Sequence, residues 1–480
     1  MTISNFVRSI QNIMRQDAGV DGDAQRISQL VWMLFLKVFD TKEEEWEIVE
    51  EDYTPIIPEK YQWRNWAGDE EGITGNELLE FVDNELFVEL SNLEIDEYTD
   101  ERKILVKEVF SDSYNYMKSG TLMRKVINRI NQVDFDNYKE RHAFNEIYET
   151  ILKDLQSAGN SGEYYTPRAV TDFVIEMLDP KIEDSVADFA CGTGGFLVSS
   201  LEYRRKKNPK MSVDERETMQ KGLHGVEKKP MPYMLGVTNL ILHDIDNPDI
   251  LHGNSLTKSL REFTEEDKFD VVAMNPPFGG TEQDIIQMNF PKPFQTSETA
   301  DLFMTLIMYR LKEDGRAGVV LPDGFFFGTD NAKLEIKKKL FDEFNLHTIV
   351  RLPGSVFAPY TSIATNLLFF NKNGEGTDSV WYYELPLPEG YKAFSKTKPM
   401  QSKHFEEVRN WWNDREETER AWQVKKEEIV DKDYNLDINN PNVIKEDNHD
   451  PKELLRKYNE VQNEIKGLQE LLKDELKDVL

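Results

Sequence analysis

Asn275-Pro276-Pro277-Phe278 follow the apolar run Asp270-Val271-Val272-Ala273-Met274, where a buried strand would open at its mouth. These residue types suit work on an exocyclic amine of a heteroaromatic ring. Such an amine is a poor nucleophile because its lone pair is delocalised into the ring. The side-chain oxygen of Asn275 and the carbonyl of Pro276 can accept its two N–H groups, favouring a pyramidal nitrogen with its lone pair aimed at an electrophile. Pro276 and Pro277 fix φ and remove two competing donors. Phe278 offers a flat face for a base rotated out of its stack. The tetrapeptide alone is equally well read as a strand ending in an ordinary turn, since Asn-Pro marks turns.

A second signal lies upstream. Ser185 to Ala190 reads as a short strand running into Cys191-Gly192-Thr193-Gly194-Gly195-Phe196 and then a helix start at Leu197-Val198. Glycines at three of four positions permit positive φ and close backbone approach, and the free N–H groups of the following helix can receive a carboxylate. That suits an amino-acid-like ligand. The dinucleotide spacing G-x-G-x-x-G is absent. Glu227 closes a predicted strand Leu223 to Glu227, where a carboxylate can accept both hydroxyls of a ribose; an exposed Glu without a ligand is the alternative. The chain between Asp188 and Asn275 is long enough for three crossover units of a parallel sheet.

Three stretches together resemble the methyltransferase (modification) subunits of type I restriction-modification systems, which are S-adenosylmethionine-dependent DNA adenine-N6 methyltransferases. They are Gly162-Glu163-Tyr164-Tyr165-Thr166-Pro167-Arg168, Asp188 to Phe196, and Asn275 to Phe278, in the family's order. Leu223 to Glu227 and Leu352 to Phe357 also fit, so the resemblance covers most of the chain. It implies catalysis by Asn275, Pro276, Pro277 and Phe278. It also implies a cofactor site of Glu163, Tyr164, Tyr165, Thr166, Pro167, Arg168, Asp188, Gly192, Thr193, Gly194, Gly195, Glu227 and Asn254, with no metal. Phe189 stands where the family often has Pro, and Asn254 where Asp is common. The implied partners are double-stranded DNA reached through the complex, a separate specificity subunit, a restriction or motor subunit, and a second copy of this chain.

The elements that must position these residues follow from composition and periodicity. A chain of 480 residues suggests two or three units with ample core. Its net charge of −31 disfavours binding duplex alone, because phosphate contacts dominate nucleic-acid affinity. A basic partner would resolve that conflict. The one cysteine, Cys191, excludes an intramolecular disulfide and fits a reducing cytoplasm; it reads as a small buried residue rather than a nucleophile. Neither a signal pattern nor a spanning segment is expected, since the apolar run Leu30 to Leu36 stops at Lys37. No Gly-Lys dipeptide occurs, so a Walker-type ATP loop is excluded, and the seven histidines lack metal-ligand spacing.

Helical periodicity from Ile3 to Asp40, then around Leu78 to Leu90, Arg102 to Met117 and Leu122 to Val133, predicts a helical N-terminal domain over residues 1–154. Its acidic stretch Glu43 to Asp52 reads as a solvated face. Thr166 followed by Pro167 predicts an N-cap and first helical position. Residues 155–400 are predicted to form a doubly wound α/β catalytic domain. Within it, Gly279 to Ala300 is expected to be a mobile loop over the site. Gly315 to Pro322, His347 to Leu352 and Thr365 to Phe370 read as further strands. Phe303, Trp411 and Trp412 read as packing residues. Residues 401–480 are predicted to be a helical tail for assembly, with a coiled-coil seam at Leu454, Tyr458, Val461, Ile465, Leu468 and Leu472. Two other readings stay open: methylation of a protein glutamine amide or an RNA base, and a scaffold that has kept the fold without the chemistry.

Overall fold

The computed structural model describes residues 3–133, 165–358, 363–395 and 397–442, together with positions of a C-terminal helix between Leu455 and Gln469. Glu163 and Tyr164 lie outside the described residues, as do Leu454 and Leu472 of the seam and the proposed boundary at 154.

Helix α1 (Ile3–Met14) and the long α2 (Asp23–Val49) open the chain. Leu30 to Leu36 is buried on every side of α2, which is what an all-round apolar helix requires. It is enclosed by a helical segment over residues 75–91, by α3 (Glu101–Ser111) and by α4 (Gly120–Ile130). Trp32 meets Phe87 edge-on at 5.0 Å. The acidic stretch departs from its expected solvated face at Glu43, which is fully buried. Glu43 Oε1 accepts from Tyr53 Oη at 2.9 Å and from the amide of Ile57 at 3.1 Å, so the carboxylate organises the loop after α2. Its neighbour Asp40 is also buried, and desolvation pushes its pKa up to about 6 against the pull of Arg64.

The rest of the described chain is built on a nine-stranded sheet in the order β3-β2-β1-β4-β5-β7-β6-β8-β9. Its strands are β1 (Val186–Asp188), β2 (Leu223–Glu227), β3 (Ile250–His252), β4 (Phe269–Met274), β5 (Leu311–Pro322), β6 (Asn345–Arg351), β7 (Thr365–Asn371), β8 (Ser379–Glu384) and β9 (Ala421–Lys425). The first five run parallel, so the three crossovers between Asp188 and Asn275 are present. β7 inserts antiparallel between β5 and β6. Successive strand residues alternate between two apolar cores: Val271, Ala273 and Phe369 join one, while Val272, Met274 and Phe370 join the other. Both faces are therefore covered, as a doubly wound sheet demands.

One face carries α5 (Arg168–Leu178), α6 (Gly195–Lys207) and, after the short α7 (Val213–Lys221), the nearly all-buried α8 (Pro230–Leu242). The opposite core is filled by α9 (Thr299–Arg310) and α10 (Asn331–Glu343). The N-terminal helices share the first of these cores. Tyr233 of α8 donates to Glu108 of α3 at 2.9 Å, and Lys42 of α2 reaches Asp244 at 3.1 Å.

Two boundaries differ from expectation. The strand predicted over Ser185 to Ala190 stops at Asp188, because the Asp188 carboxylate accepts the amide of Ala190 at 3.1 Å and turns the chain out of the sheet. The sheet also continues past residue 400: β9 lies inside the segment expected to be tail. Trp422 stacks on Tyr382 at 5.3 Å, and Tyr382 Oη donates to the carbonyl of Leu436 at 3.1 Å. A short strand among charged residues carries little periodicity, and its partner is distant in sequence. Trp411, Trp412 and Phe303 are packing residues, Trp412 lying 4.8 Å from Phe369. Among the described residues no helix is long and apolar enough to cross a membrane.

Candidate functional site

Parallel strands β2, β1 and β4 are neighbours, so their C-terminal ends deliver Glu227, the glycine loop and Asn275 to one edge of the sheet. In the loop, Gly192 has φ +53° and Gly194 φ +76°, a region that side chains other than glycine enter at a cost. Gly194 closes a turn by donating to the carbonyl of Cys191 at 2.8 Å and stands immediately before α6. The amide of Gly192 donates to Glu227 Oε2 at 2.8 Å, and that of Lys229 to Oε1 at 2.7 Å. Glu227 thus braces the loop, each of its carboxylate oxygens accepting a backbone amide.

Asp188 is buried beneath the loop. Desolvation pushes its carboxyl up to about 8; the amide of Ala190 opposes this and the charge of Glu227 adds to it. The same burial, with the charges of Asp188 and Glu227, holds the Cys191 thiol well above its usual range, so it is a packing residue with little thiolate. Among the described residues no group of His, Cys, Asp and Glu could hold a metal ion.

The start of α5 corrects a sequence expectation. The helix begins at Arg168 with Pro167 in the capping position, so Thr166 is not its N-cap. The hydroxyl of Thr166 instead accepts Asn275 Nδ2 at 3.0 Å, across the site. Asn275 Oδ1 is buried and has no hydrogen-bond partner among the described residues. Such an orphaned acceptor costs about 1–3 kcal/mol, so its retention calls for an explanation. Arg168 donates to the carbonyl of Gly195 at 2.9 Å, tying α5 to the first residue of α6. Tyr165 packs half-buried against the first core. Pro276 is buried, Pro277 half-buried, and Phe278 only 7% exposed. Glycine loop, Glu227, Thr166, Arg168 and Asn275 are thereby held in one constellation.

Asn254 follows β3 and spends its side chain within the protein. Its Oδ1 accepts the amide of Leu256 at 3.0 Å and its Nδ2 donates to Glu282 Oε1 at 3.3 Å. Glu282 also pairs with Lys228 at 3.4 Å, so it links the segments after β2 and β3 to the one after Phe278. That last segment, expected to be a mobile loop, is closed at its neck. The backbone amide of Glu282 donates to the carbonyl of Ser297 at 2.9 Å and that of Thr299 to the carbonyl of Gly280 at 3.1 Å.

Sequence reasoning missed the support behind the loop. A Cβ on Gly236 of α8 would meet the carbonyl of Gly192 at 2.9 Å, and Asn239 Nδ2 donates to the carbonyl of Thr193 at 2.9 Å. The available signal was a single asparagine inside the apolar run Leu235 to Leu242, since a polar residue at such a place needs a partner.

This arrangement agrees with what the chain is similar to. A family model described as N-6 DNA Methylase matches residues 139–450, and one described as HsdM N-terminal domain matches residues 3–130. The type I restriction enzyme EcoEI methylase subunit of Escherichia coli is 52% identical over 482 residues, spanning 99% of this chain and 97% of that one. A modification subunit of a putative type I restriction enzyme from Vibrio vulnificus YJ016 superposes with a TM-score of 0.81 at 42% identity, over 92% of this chain and 96% of that one. A chain from a study of complex assembly and conformational transition of the type I R-M system also reaches 0.81, at 37% identity over 99% and 98%. Full-length identity, a matching fold and both family models lead to one conclusion: the chain belongs to the N-6 DNA methylases, as a methylase subunit of a type I restriction enzyme.

Proposed function

We infer that the chain methylates the N6 amine of adenine in DNA with S-adenosylmethionine, and that Asn275 is the residue aimed at the amine. The observation that carries this reading is the buried Oδ1 of Asn275, orphaned while its Nδ2 is held by Thr166. An N–H of the target amine supplies the missing partner. Accepting it at Oδ1, with the carbonyl of Pro276 available for the second N–H, localises the lone pair on nitrogen. As the new C–N bond forms, the amine becomes cationic. The same acceptors then hold the proton that leaves for solvent. Phe278 lines this position, and its low exposure means that a flipped base must displace cover to stack on it.

The cofactor fits the residues present. A Cβ added at Gly192 would meet nothing within 4 Å, so the loop leaves an open cradle there. Glu227 can accept the ribose hydroxyls and supplies the negative charge, the buried Asp188 turns the chain beneath the loop, and Arg168, Thr193 and Gly195 fix the approach to α6. Bound S-adenosylmethionine supplies an electrophilic methyl group whose carbon–sulfur bond breaks towards sulfur. Tyr165 and Pro167 stand immediately before α5, where they shape the cleft, and the sequence motif adds Glu163 and Tyr164, which lie outside the described residues. Asn254 acts by bridging to Glu282 rather than as a free acceptor.

A chain of net charge −31 needs a partner to capture duplex. We assign that role to a separate specificity subunit, in a cytoplasmic complex with two copies of this chain and a restriction or motor subunit. Leu455, Tyr458, Val461, Ile465 and Leu468 support a docking helix, since they are 42–63% exposed at helical spacing.

Asn275→Ala tests the chemistry. Methylation by the assembled complex should fall by at least about 10²-fold, the scale for one oriented electrostatic partner, while calorimetry finds cofactor affinity near wild type. Substantial residual N6-methyladenine would remove Asn275 from the mechanism.

A further inference from the structure

Glu282 belongs to the segment after β4, yet its side chain reaches back to the residues that follow β2 and β3. Its Oε1 accepts Lys228 Nζ at 3.4 Å and Asn254 Nδ2 at 3.3 Å, while its Oε2 takes no donor among the described residues. The side chain is only 11% exposed, so this open acceptor is largely withdrawn from solvent. Its backbone is fixed as well. Besides the amide bond to Ser297, the neighbouring Thr281 pairs with Glu298 in an antiparallel bridge.

The neighbours of Glu282 give that acceptor a purpose. Asn254 follows Gly253, whose amide donates to the carbonyl of Glu227 at 2.9 Å, so Glu227, Asn254 and Glu282 are bonded into one cluster. Glu227 closes β2, where the ribose hydroxyls of the cofactor are assigned above. The transferable methyl must point to Asn275 at the end of β4. In the order β3-β2-β1-β4 the nucleobase, on the other side of the ribose, then extends towards the end of β3. There it meets Asn254 and Glu282. Asn254 Oδ1 already accepts the Leu256 amide, and its Nδ2 is a donor, the wrong polarity for an amine. The remaining carboxylate oxygen of Glu282 has the right polarity and is the stronger kind of acceptor.

We propose that Glu282 accepts the 6-amino group of the cofactor's own adenine and so selects an aminopurine cofactor. The assignment rests on the S-adenosylmethionine reading argued above and names the residue that reads its base. Lys228 and Asn254 both hold Oε1, which leaves Oε2 for the amine. Because Glu282 continues the segment that begins with Asn275-Pro276-Pro277-Phe278, the same contact ties that tetrapeptide to the far end of the cofactor.

The test is calorimetry on the full-length chain with S-adenosylhomocysteine and with its analogue in which hydrogen replaces the 6-amino group. Wild type should prefer the amino compound by about tenfold, the scale of one hydrogen bond to a carboxylate, and Glu282→Ala should bring the two compounds within about twofold of each other. Glu282→Gln, whose amide oxygen still accepts, should keep part of the preference. Binding of the deaminated analogue by the variants also certifies their folding. A residue that only braced the neck would weaken both compounds alike, so a preference unchanged in Glu282→Ala overturns the proposal. Equal binding of the two compounds by wild type overturns it too, as does a preference lost in Asn254→Ala but kept in Glu282→Ala, which gives the amine to Asn254. Should wild type bind neither compound, the cofactor reading itself falls, a result distinguishable from all of these.

Discussion

Thr166 accepts Asn275 Nδ2 at 3.0 Å, and the role proposed for Asn275 can be tested from the threonine side. Thr166→Val removes the acceptor that orients the amide but leaves Oδ1 in place. A neutral hydrogen bond is worth about 1 kcal/mol, so the turnover number should drop about fivefold while Thr166→Ser stays close to wild type. Equal losses in the two variants would mean that Thr166 only packs. Asp188 offers a test by pH. Its folded-state pKa is raised to about 8 by burial, above the ordinary carboxylate value, so between about pH 4 and 8 the folded protein holds a proton that the unfolded chain has released. Stability from this group therefore falls as pH rises through that window. Asn at this position keeps an oxygen for the Ala190 amide without the charge. The melting temperature of cofactor-free Asp188→Asn, relative to wild type, should increase from pH 5 to 8 and level off above it, while cofactor affinity declines. A difference independent of pH would remove burial of the Asp188 charge as the cause.

The glycine loop is only as well placed as α8 behind it. Gly236→Ala would normally stabilise a helix by about 1 kcal/mol. Here the new methyl would meet the backbone oxygen of Gly192 at 2.9 Å, and overpacking of this kind costs about 1–3 kcal/mol. The strain falls on the glycine loop, so if that loop holds the cofactor as proposed, calorimetry should show weaker S-adenosylmethionine binding whichever way the melting temperature moves. Wild-type affinity in Gly236→Ala would show that the loop is not braced by α8. The same helix is fixed to the N-terminal domain through Tyr233 and Glu108, which makes that domain part of the scaffold behind the loop.

On the scale of the whole molecule, charge and the end of the sheet set what can be removed. A truncation after residue 400 discards β9, leaving an open edge on β8 and uncovering Tyr382; it should be insoluble or lack cooperative melting. Deletion from Asp450 spares all of that. The shortened chain should melt cooperatively and bind S-adenosylmethionine, yet fail to co-purify with the specificity subunit. Normal assembly of the shortened chain would move the interface elsewhere, with the N-terminal helices as the next surface to test. The full-length chain alone should bind DNA weakly and without sequence preference.

Local sequence determined a good deal of this. The strands β2, β4, β5, β6 and β7, the glycine turn and the all-buried α2 are written in runs whose apolar content or glycine spacing leaves few other conformations. The Asn-Pro-Pro-Phe motif carries acceptors, fixed φ and a flat ring in its residue types, but alone it reads equally well as an ordinary turn, and only the glycine loop beside it gave the pair a chemical reading. What the tertiary structure decided is every pairing between segments distant in the chain. Thr166 looked like a cap because Thr-Pro is a local signal; its hydroxyl serves Asn275 because packing of α5 beside β4 offers a more demanding partner. Glu43 looked solvated by its neighbours' charges, and only the loop folding back over α2 shows that two amides and a tyrosine satisfy it inside.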